Sequence, residues 1–162
     1  MLGLTALATF LVSLDISIVV VAKRTIDEDL GGGSLLTWVF SAYAIAYAAA
    51  LLTAGRFADV FGRKRSFIRG VLWFSFGSLL CGVAPTAWFL VLARVIQAFG
   101  GAQLSPASLA LVLPEFPVEK RTQAIAIWGA TGGIAAALGP SIGGVFVDWL
   151  GWRSLFFLNI PF

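Results

Sequence analysis

Gly55-Arg56-Phe57-Ala58-Asp59-Val60-Phe61-Gly62 is answered by Gly144-Val145-Phe146-Val147-Asp148-Trp149-Leu150-Gly151. The second copy begins at 144 where the first begins at 55, an offset of 89, and Gly, Phe, Asp and Gly coincide at four of the eight positions. Each copy closes a long apolar run. Stretches able to cross ~30 Å of hydrocarbon need about 20 helical residues, and five are present, over about 1–22, 35–54, 67–84, 87–113 and 124–150; a sixth starts near Leu155. Helices rather than barrel strands are expected, because lipid leaves open strand edges unsatisfied and the runs lack two-residue alternation. The first copy follows the second span and the other follows the fifth. An odd number of spans separates them, so the two copies face opposite sides, which is an inverted repeat of three spans, an architecture common among secondary transporters.

Composition agrees with a membrane protein. Of 162 residues 59% are hydrophobic and only 12% charged, about half the charge of a soluble domain. The net charge of +3 comes from clusters beside the apolar runs, which argues for a membrane and against a nucleic-acid partner. One cysteine, Cys81, excludes an internal disulfide, and the absence of His removes the usual zinc ligands. No nucleophile paired with a base is visible and the glycine-rich stretches lie in spans, so an enzyme is not expected. Span one carries Asp15 and lacks a basic leader, so it reads as a retained span rather than a signal peptide. Arg56, Arg63, Lys64, Arg65, Arg69, Lys120 and Arg121 fall on one side, against Lys23, Arg24 and Arg153 on the other. That asymmetry predicts a cytoplasmic N-terminus in a cell membrane, inner or plasma. Trp38, Trp88, Trp149 and Trp152 fall at the outer ends, as interfacial anchors should. The acidic stretch Asp27-Glu28-Asp29 with Gly31 to Gly33 reads as a flexible solvated loop.

Two ionisable residues lie within spans, where a charge costs ~2.5–3.5 kcal/mol on insertion scales and is a functional hypothesis by default. Asp15 sits ~12 Å and Arg94 ~9 Å below the same boundary at ~1.5 Å per residue. If spans one and four are neighbours, they can pair, and protonation of Asp15 would break the pair. The structural alternative is a permanent ion pair fixing helix register. Arg94, Gln97 and Gly101 share one face of span four, which suits either a polar cavity wall, with Gln97 lining it, or a polar helix contact. In span five, Gly132, Ala136, Pro140 and Gly144 recur every four residues, with Gly129, Gly133, Gly139 and Gly143 beside them. This strip predicts close helix packing, and Pro140 predicts a hinge. In Gly55 to Arg65, glycines permit a tight turn, Asp59 could hold a base or a helix N-terminus, and Arg63-Lys64-Arg65 retain the segment in the cytosol.

Taken in order, these residues resemble the major facilitator superfamily, in particular its drug:proton antiporters of the fourteen-helix type. Leu14-Asp15-Ile16-Ser17-Ile18-Val19 resembles the first-helix signature, and Gly55 to Arg65 the motif between helices two and three. Arg94-Val95-Ile96-Gln97 with Gly100-Gly101-Ala102 resembles the helix-four motif, and Gly139-Pro140-Ser141-Ile142-Gly143-Gly144 the helix-five motif. Trp152-Arg153-Ser154-Leu155-Phe156-Phe157-Leu158-Asn159-Ile160-Pro161 resembles the start of helix six. The resemblance implies that Asp15 and Arg94 couple protons, that Gly55, Asp59, Gly62, Arg63, Lys64 and Arg65 gate, and that Gly139, Pro140, Gly143 and Gly144 form a helix-five hinge and packing surface. The expected fold is an all-α integral membrane protein of inverted three-helix repeats, a first half cut at five full spans plus the start of a sixth.

The expected function is the N-terminal part of a proton-coupled exporter of drugs or other amphipathic small molecules. Its expected partners are membrane lipid, the substrate and the missing C-terminal half; the energy source is a proton gradient, with no cofactor or metal. A small oligomeric membrane protein without transport activity, or a nutrient facilitator, are the alternatives. Alone, the chain is not expected to transport.

Overall fold

The computed structural model describes residues 2–160; Met1, at the expected start of span one, and Pro161 and Phe162 lie outside the described residues. Among the described residues seven α-helices follow in order, α1 Leu2–Val21, α2 Lys23–Leu30, α3 Leu35–Phe61, α4 Arg63–Gly82, α5 Ala87–Val112, α6 Arg121–Leu150 and α7 Arg153–Phe157, with two single 3-10 turns, Leu113–Glu115 and Val118–Lys120, between α5 and α6. The described residues form no strands. Four helical stretches are long and apolar enough to cross a membrane, Gly3–Val21, Leu35–Phe61, Ala87–Glu115 and Val118–Leu150. The third expected span is α4, which at 20 residues is long enough but gives its first two turns to Arg63, Lys64, Arg65 and Arg69. Arg69 lies over the faces of Phe57 and Phe61, 5.6 and 5.7 Å from their centroids, so its charge is held against aromatic faces rather than bare lipid.

The repeat reappears as geometry. Gly62 ends α3 at φ +90° and Gly151 ends α6 at φ +77°, backbone that side-chain-bearing residues rarely adopt. These two glycines are the last positions of the two sequence copies. Under the same offset α3 corresponds to α6 and α1 to α5, and indeed α3 packs on α5 as α6 packs on α1.

Several expected boundaries move. Span two was expected to end at Ala54 with a turn over Gly55 to Gly62; instead α3 continues to Phe61 and the turn is Gly62 alone. Nothing approaches Gly55, so no tight contact requires it. The expected flexible acidic loop is helix α2. Its Ile26 is buried in the core, Arg24 pairs with Glu28 one turn on at 2.9 Å, and Gly31 closes it in the left-handed conformation. Asp27 then accepts a bond from the Gly33 backbone N–H at 2.9 Å, which fixes the following turn. The acidic run is therefore structural as well as solvated. Trp38, Trp88 and Trp149 are exposed as anchors should be, whereas Trp152 is only 2% exposed and packs edge-on against Phe156 in the core.

Close approach of backbones is concentrated where glycines face a neighbour. A methyl added at Gly100 would lie 2.2 Å from the Phe74 nitrogen, and one at Gly77 would lie 2.5 Å from Gln97 Cα, so α4 and α5 touch backbone to backbone. On α6 the contact face is rotated from the expected strip. A methyl added at Gly139 would lie 2.4 Å from Ser17 Cβ and one at Gly143 would lie 3.2 Å from Ile18 Cγ2, and Ala135 is fully buried, while Gly129, Gly133 and Gly144 have open space and Ala136 and Pro140 are exposed. The every-fourth-residue pattern misled because a straight helix drifts from a strict four-residue period, so the face turned to α1 runs 132, 135, 139, 143, with the last three buried. α6 passes through Pro140 unbroken.

Candidate functional site

Asp15 of α1 and Arg94 of α5, at 3% and 1% exposure, meet in the centre of the packed helices. Arg94 Nη1 donates to Asp15 Oδ2 at 2.5 Å and to Gln97 Oε1 at 2.7 Å. Gln97 Nε2 donates in turn to Asp15 Oδ1 at 2.9 Å and to Ser78 Oγ at 2.6 Å. Asn159, beyond the end of α7, donates through Nδ2 to Asp15 Oδ1 at 3.0 Å and to Ser78 Oγ at 3.3 Å. The carboxylate thus accepts three bonds, all from charged or amide donors, which offsets much of the cost of burying it. The guanidinium also stacks on Tyr43, 3.9 Å from the ring centroid, adding a desolvated cation–π contact of ~2 kcal/mol. Arg94 Nε and the Tyr43 hydroxyl have no partner among the described residues. A side of the network is therefore left with unused hydrogen-bonding capacity.

Each element places its residue for a local reason. Thr86 caps α5, accepting from the Phe89 N–H at 3.2 Å, which sets the helix start two turns before Arg94. Gly77 removes the side chain that would hold α4 off Gln97, so the neighbouring Ser78 reaches the amide. Gln97 is fully buried within this network. It is a polar helix-to-helix link, and the expectation that it lines a cavity is corrected.

The open space lies elsewhere. A cleft of about 510 Å³ opens between α1, α3, α5 and α6, with Tyr47, Ser105, Pro106 and Trp128 on its walls. Tyr47 Oη and Ser105 Oγ are 2.7 Å apart; Trp128 Nε1 donates to Ser108 Oγ at 3.0 Å, and Ser108 lies 3.2 Å from Thr9 Oγ1. No charged residue lines this cleft among the described residues. The ion pair and the cleft share α1 and α5, which both elements must use if one is to sense the other.

The Gly55 to Arg65 segment is only partly assembled. Arg63 Nη1 donates to the Ala110 carbonyl at 2.9 Å. In a regular helix that oxygen would accept from position 114, which is proline, so Arg63 supplies the missing donor and ties the α3–α4 turn to the end of α5. Lys64 and Arg65 are exposed. Asp59 is exposed and makes no hydrogen bond among the described residues, so it does not hold a base or a helix terminus within this chain.

Sequence reading missed Tyr43, Ser78 and Asn159 in the network, and Tyr47, Ser105 and Trp128 in the cleft. A Tyr43–Tyr47 pair at one-turn spacing was a usable signal; a serine or asparagine in an apolar run gives almost none.

Helices long and apolar enough to cross a bilayer, an internal repeat and a buried ion pair beside an uncharged cleft point to a membrane transporter scaffold. The family model described as Major Facilitator Superfamily matches residues 5–162, and the chain belongs to that family. It is 41% identical over 159 residues to the multidrug resistance protein Stp of Mycobacterium tuberculosis, covering 97% of this chain and 30% of that protein. It is 40% identical over 162 residues to the methylenomycin A resistance protein of Streptomyces coelicolor, covering 98% of this chain and 34% of the relative. The chain thus spans about a third of the length of these relatives. The crystal structure of a bacterial homolog to the human lysosomal transporter Spinster, inward-facing and unoccupied, superposes with a TM-score of 0.81 over 99% of this chain and 40% of that one, at 21% identity. That likeness concerns the fold.

Proposed function

We propose that this chain is the N-terminal part of a proton-coupled antiporter that exports drugs or other amphipathic small molecules by alternating access, from a multi-pass position in the cell membrane with its N-terminus cytoplasmic. The observation that carries the proposal is the Asp15–Arg94 pair, buried and bonded at 2.5 Å. Protonating Asp15 removes the negative member and leaves Arg94 without its counter-charge; losing one partner of a buried pair costs about 3–5 kcal/mol. Inverting a two-state equilibrium from 1:99 to 99:1 needs ~5.5 kcal/mol. Breaking this pair with one proton is therefore of the same order as such a shift. A facilitator without protons would be favoured by Asp15 and Arg94 lying far apart.

The cleft between α1, α3, α5 and α6 is the substrate-facing wall in this reading. Trp128 and Tyr47 offer flat apolar faces, and hydroxyls offer neutral hydrogen bonds, a lining that suits amphipathic molecules of varied shape. Relatives named for multidrug resistance and for tetracenomycin C resistance and export support the same reading. Gly62 and Arg63 form the gating turn, and Pro140 gives α6 its bending point. Asp59 awaits a partner in the C-terminal half, which completes the cavity, so the chain alone does not transport. The proton gradient supplies the energy and no cofactor takes part. The test is Asp15→Asn in a transporter carrying this chain: pH-gradient-driven efflux is abolished, whereas unchanged efflux removes Asp15 as the coupling site.

A further inference from the structure

The unused hydrogen-bonding capacity of the Asp15–Arg94 network lies where Arg94 meets α3. Tyr43, 3% exposed, has its ring centroid 3.9 Å from the guanidinium carbon, and neither its hydroxyl nor Arg94 Nε has a partner among the described residues. Arg94 Nη1 already gives its hydrogens to Asp15 and Gln97. The Tyr43 hydroxyl is turned onto α5, the helix that carries Arg94, since a methyl added at Gly101 would lie 3.1 Å from Tyr43 Oη. One turn along α3, Tyr47 stacks on Tyr43 with centroids 6.0 Å apart and rings inclined by 19°, and its own hydroxyl is 2.7 Å from Ser105 Oγ. Tyr47 and Ser105 line the cleft. A ladder of Arg94, Tyr43, Tyr47 and Ser105 therefore runs between α3 and α5, from the ion pair to the cleft wall.

We propose that Tyr43 is a positioning residue for Arg94, and that its hydroxyl accepts a bond from the guanidinium when Asp15 loses its charge. The titratable groups facing Arg94 and Tyr43 are Asp15 on α1, Tyr47 on α3 and Cys81 on α4, and of these Asp15 alone is a carboxylate. Arginine is not deprotonated in proteins, so neutralising Asp15 leaves a buried cation in need of an acceptor. Gln97 Oε1 is already bonded. Tyr43 Oη is a buried acceptor with no bond to give up, on a ring that the guanidinium already covers, and a slide along that ring brings an Arg94 N–H to it. Bonds with one ionised member are about twice as strong as neutral ones, and the same step satisfies two orphaned polar atoms. Charged and neutral Asp15 thus select two positions of one side chain, and a pair of alternative states is what coupling requires. Because Tyr43 stacks on Tyr47, the second position is felt at the wall of the cleft. This inference rests on the proton-coupling reading for its use in transport, whereas the two positions of Arg94 are testable without it.

The experiment is a double-mutant cycle on the purified chain in mixed micelles, unfolded with dodecyl sulfate and followed by circular dichroism, with Asp15→Asn standing for the neutral carboxyl. Tyr43→Phe keeps the ring and removes only the hydroxyl. It should raise the unfolding constant of the Asp15→Asn protein at least tenfold more than that of the unmodified chain. Tyr47→Phe, which keeps the stack and loses the bond to Ser105, should have the same effect in both backgrounds. Equal effects of Tyr43→Phe in the two backgrounds would overturn the proposal, the orphaned atoms then being served by buried water alone. A background dependence of Tyr47→Phe as large as that of Tyr43→Phe would also overturn it, since the stack rather than the Tyr43 hydroxyl would then carry the coupling. A second measurement covers an Asp15→Asn protein that does not fold. Tyr43 and Tyr47 are the two tyrosines of the chain, so in Tyr47→Phe the tyrosine doublet of the ultraviolet resonance Raman spectrum reports Tyr43 alone. Acidifying that protein while circular dichroism shows it folded should shift the doublet toward an accepting phenol oxygen, and a doublet unmoved by acid would overturn the proposal. Proton-driven efflux that survives Asp15→Asn would instead remove the coupling reading and leave the cycle standing.

Discussion

Replacing Gly100 by alanine places a methyl carbon 2.2 Å from the Phe74 nitrogen, 2.6 Å from its Cα and 2.8 Å from the Trp73 carbonyl carbon. Optimal separations are ~3.5–4.0 Å, and the obstructing atoms are backbone, so no rotamer change relieves the overlap. α4 and α5 must part by about 1 Å. Overpacking of this kind costs ~1–3 kcal/mol. The separation also stretches the 2.6 Å bond between Gln97 and Ser78, adding ~1 kcal/mol, and the better helix propensity of alanine returns ~1 kcal/mol. The net expectation is a loss of about 1–3 kcal/mol. Gly144→Ala is the matched control: nothing lies within 4 Å of its added methyl, so only the propensity gain of ~1 kcal/mol remains. Both variants are unfolded with dodecyl sulfate in mixed micelles and followed by circular dichroism. Opposite shifts of the midpoint are expected, and equal shifts in one direction would refute the backbone-contact geometry of α4 and α5.

Other consequences follow from single contacts. Arg94→Ala leaves a buried carboxylate without its charge partner and should destabilise by ~3–5 kcal/mol; the same dodecyl sulfate titration measures it, and a loss under ~1 kcal/mol would mean that water already reaches the pair. Arg63→Ala should cost ~1 kcal/mol, and Pro114→Ala in that background should recover part of it by restoring the donor to the Ala110 carbonyl, a recovery readable in the unfolding midpoint. The hydrogen bond from Arg153, then that from Trp152, holds the Asp29 carboxyl below its usual range. Asp29 of α2 pairs with Arg153 of α7 at 2.5 Å, and its contribution to that pair is full above the ordinary carboxylate range and is lost as pH falls through that lowered value. Other charged groups nearby are Glu28 and Arg24 on α2, already paired to each other. Arg153 should therefore remain bonded to Asp29 at pH 5, as a crosslinking or infrared measurement of the pair between pH 7 and 3 would show; loss of the pair near pH 5 would contradict it.

The long helices were readable because crossing lipid imposes a length and an apolar composition that few other folds share. The repeat was readable because glycine at 62 and 151 meets a backbone requirement, and such positions survive as identity. The Asp15–Arg94 pair was legible because charge within a span is rare. What failed had weaker physical marks. α2 hid behind acidic residues and glycines, since its single buried anchor, Ile26, makes too short a pattern to read as a helix. The contact face of α6 was misplaced by about one residue because small residues surround the helix on several sides, and only the neighbour, α1, selects among them. Ser78 and Asn159 were silent because hydroxyl and amide side chains declare themselves only once a partner is in reach. Asp59 carries no hydrogen bond among the described residues, so the base or helix terminus expected of it is not found within this chain.

The most direct test of proton coupling at the buried pair uses everted membrane vesicles containing a transporter that carries this chain as its N-terminal part. An imposed pH gradient, with the membrane potential collapsed, drives accumulation of a fluorescent amphipathic drug, and unmodified protein is compared with Asp15→Asn at equal abundance. Gradient-driven accumulation should be lost in Asp15→Asn while drug binding persists; accumulation at the unmodified rate would contradict the account.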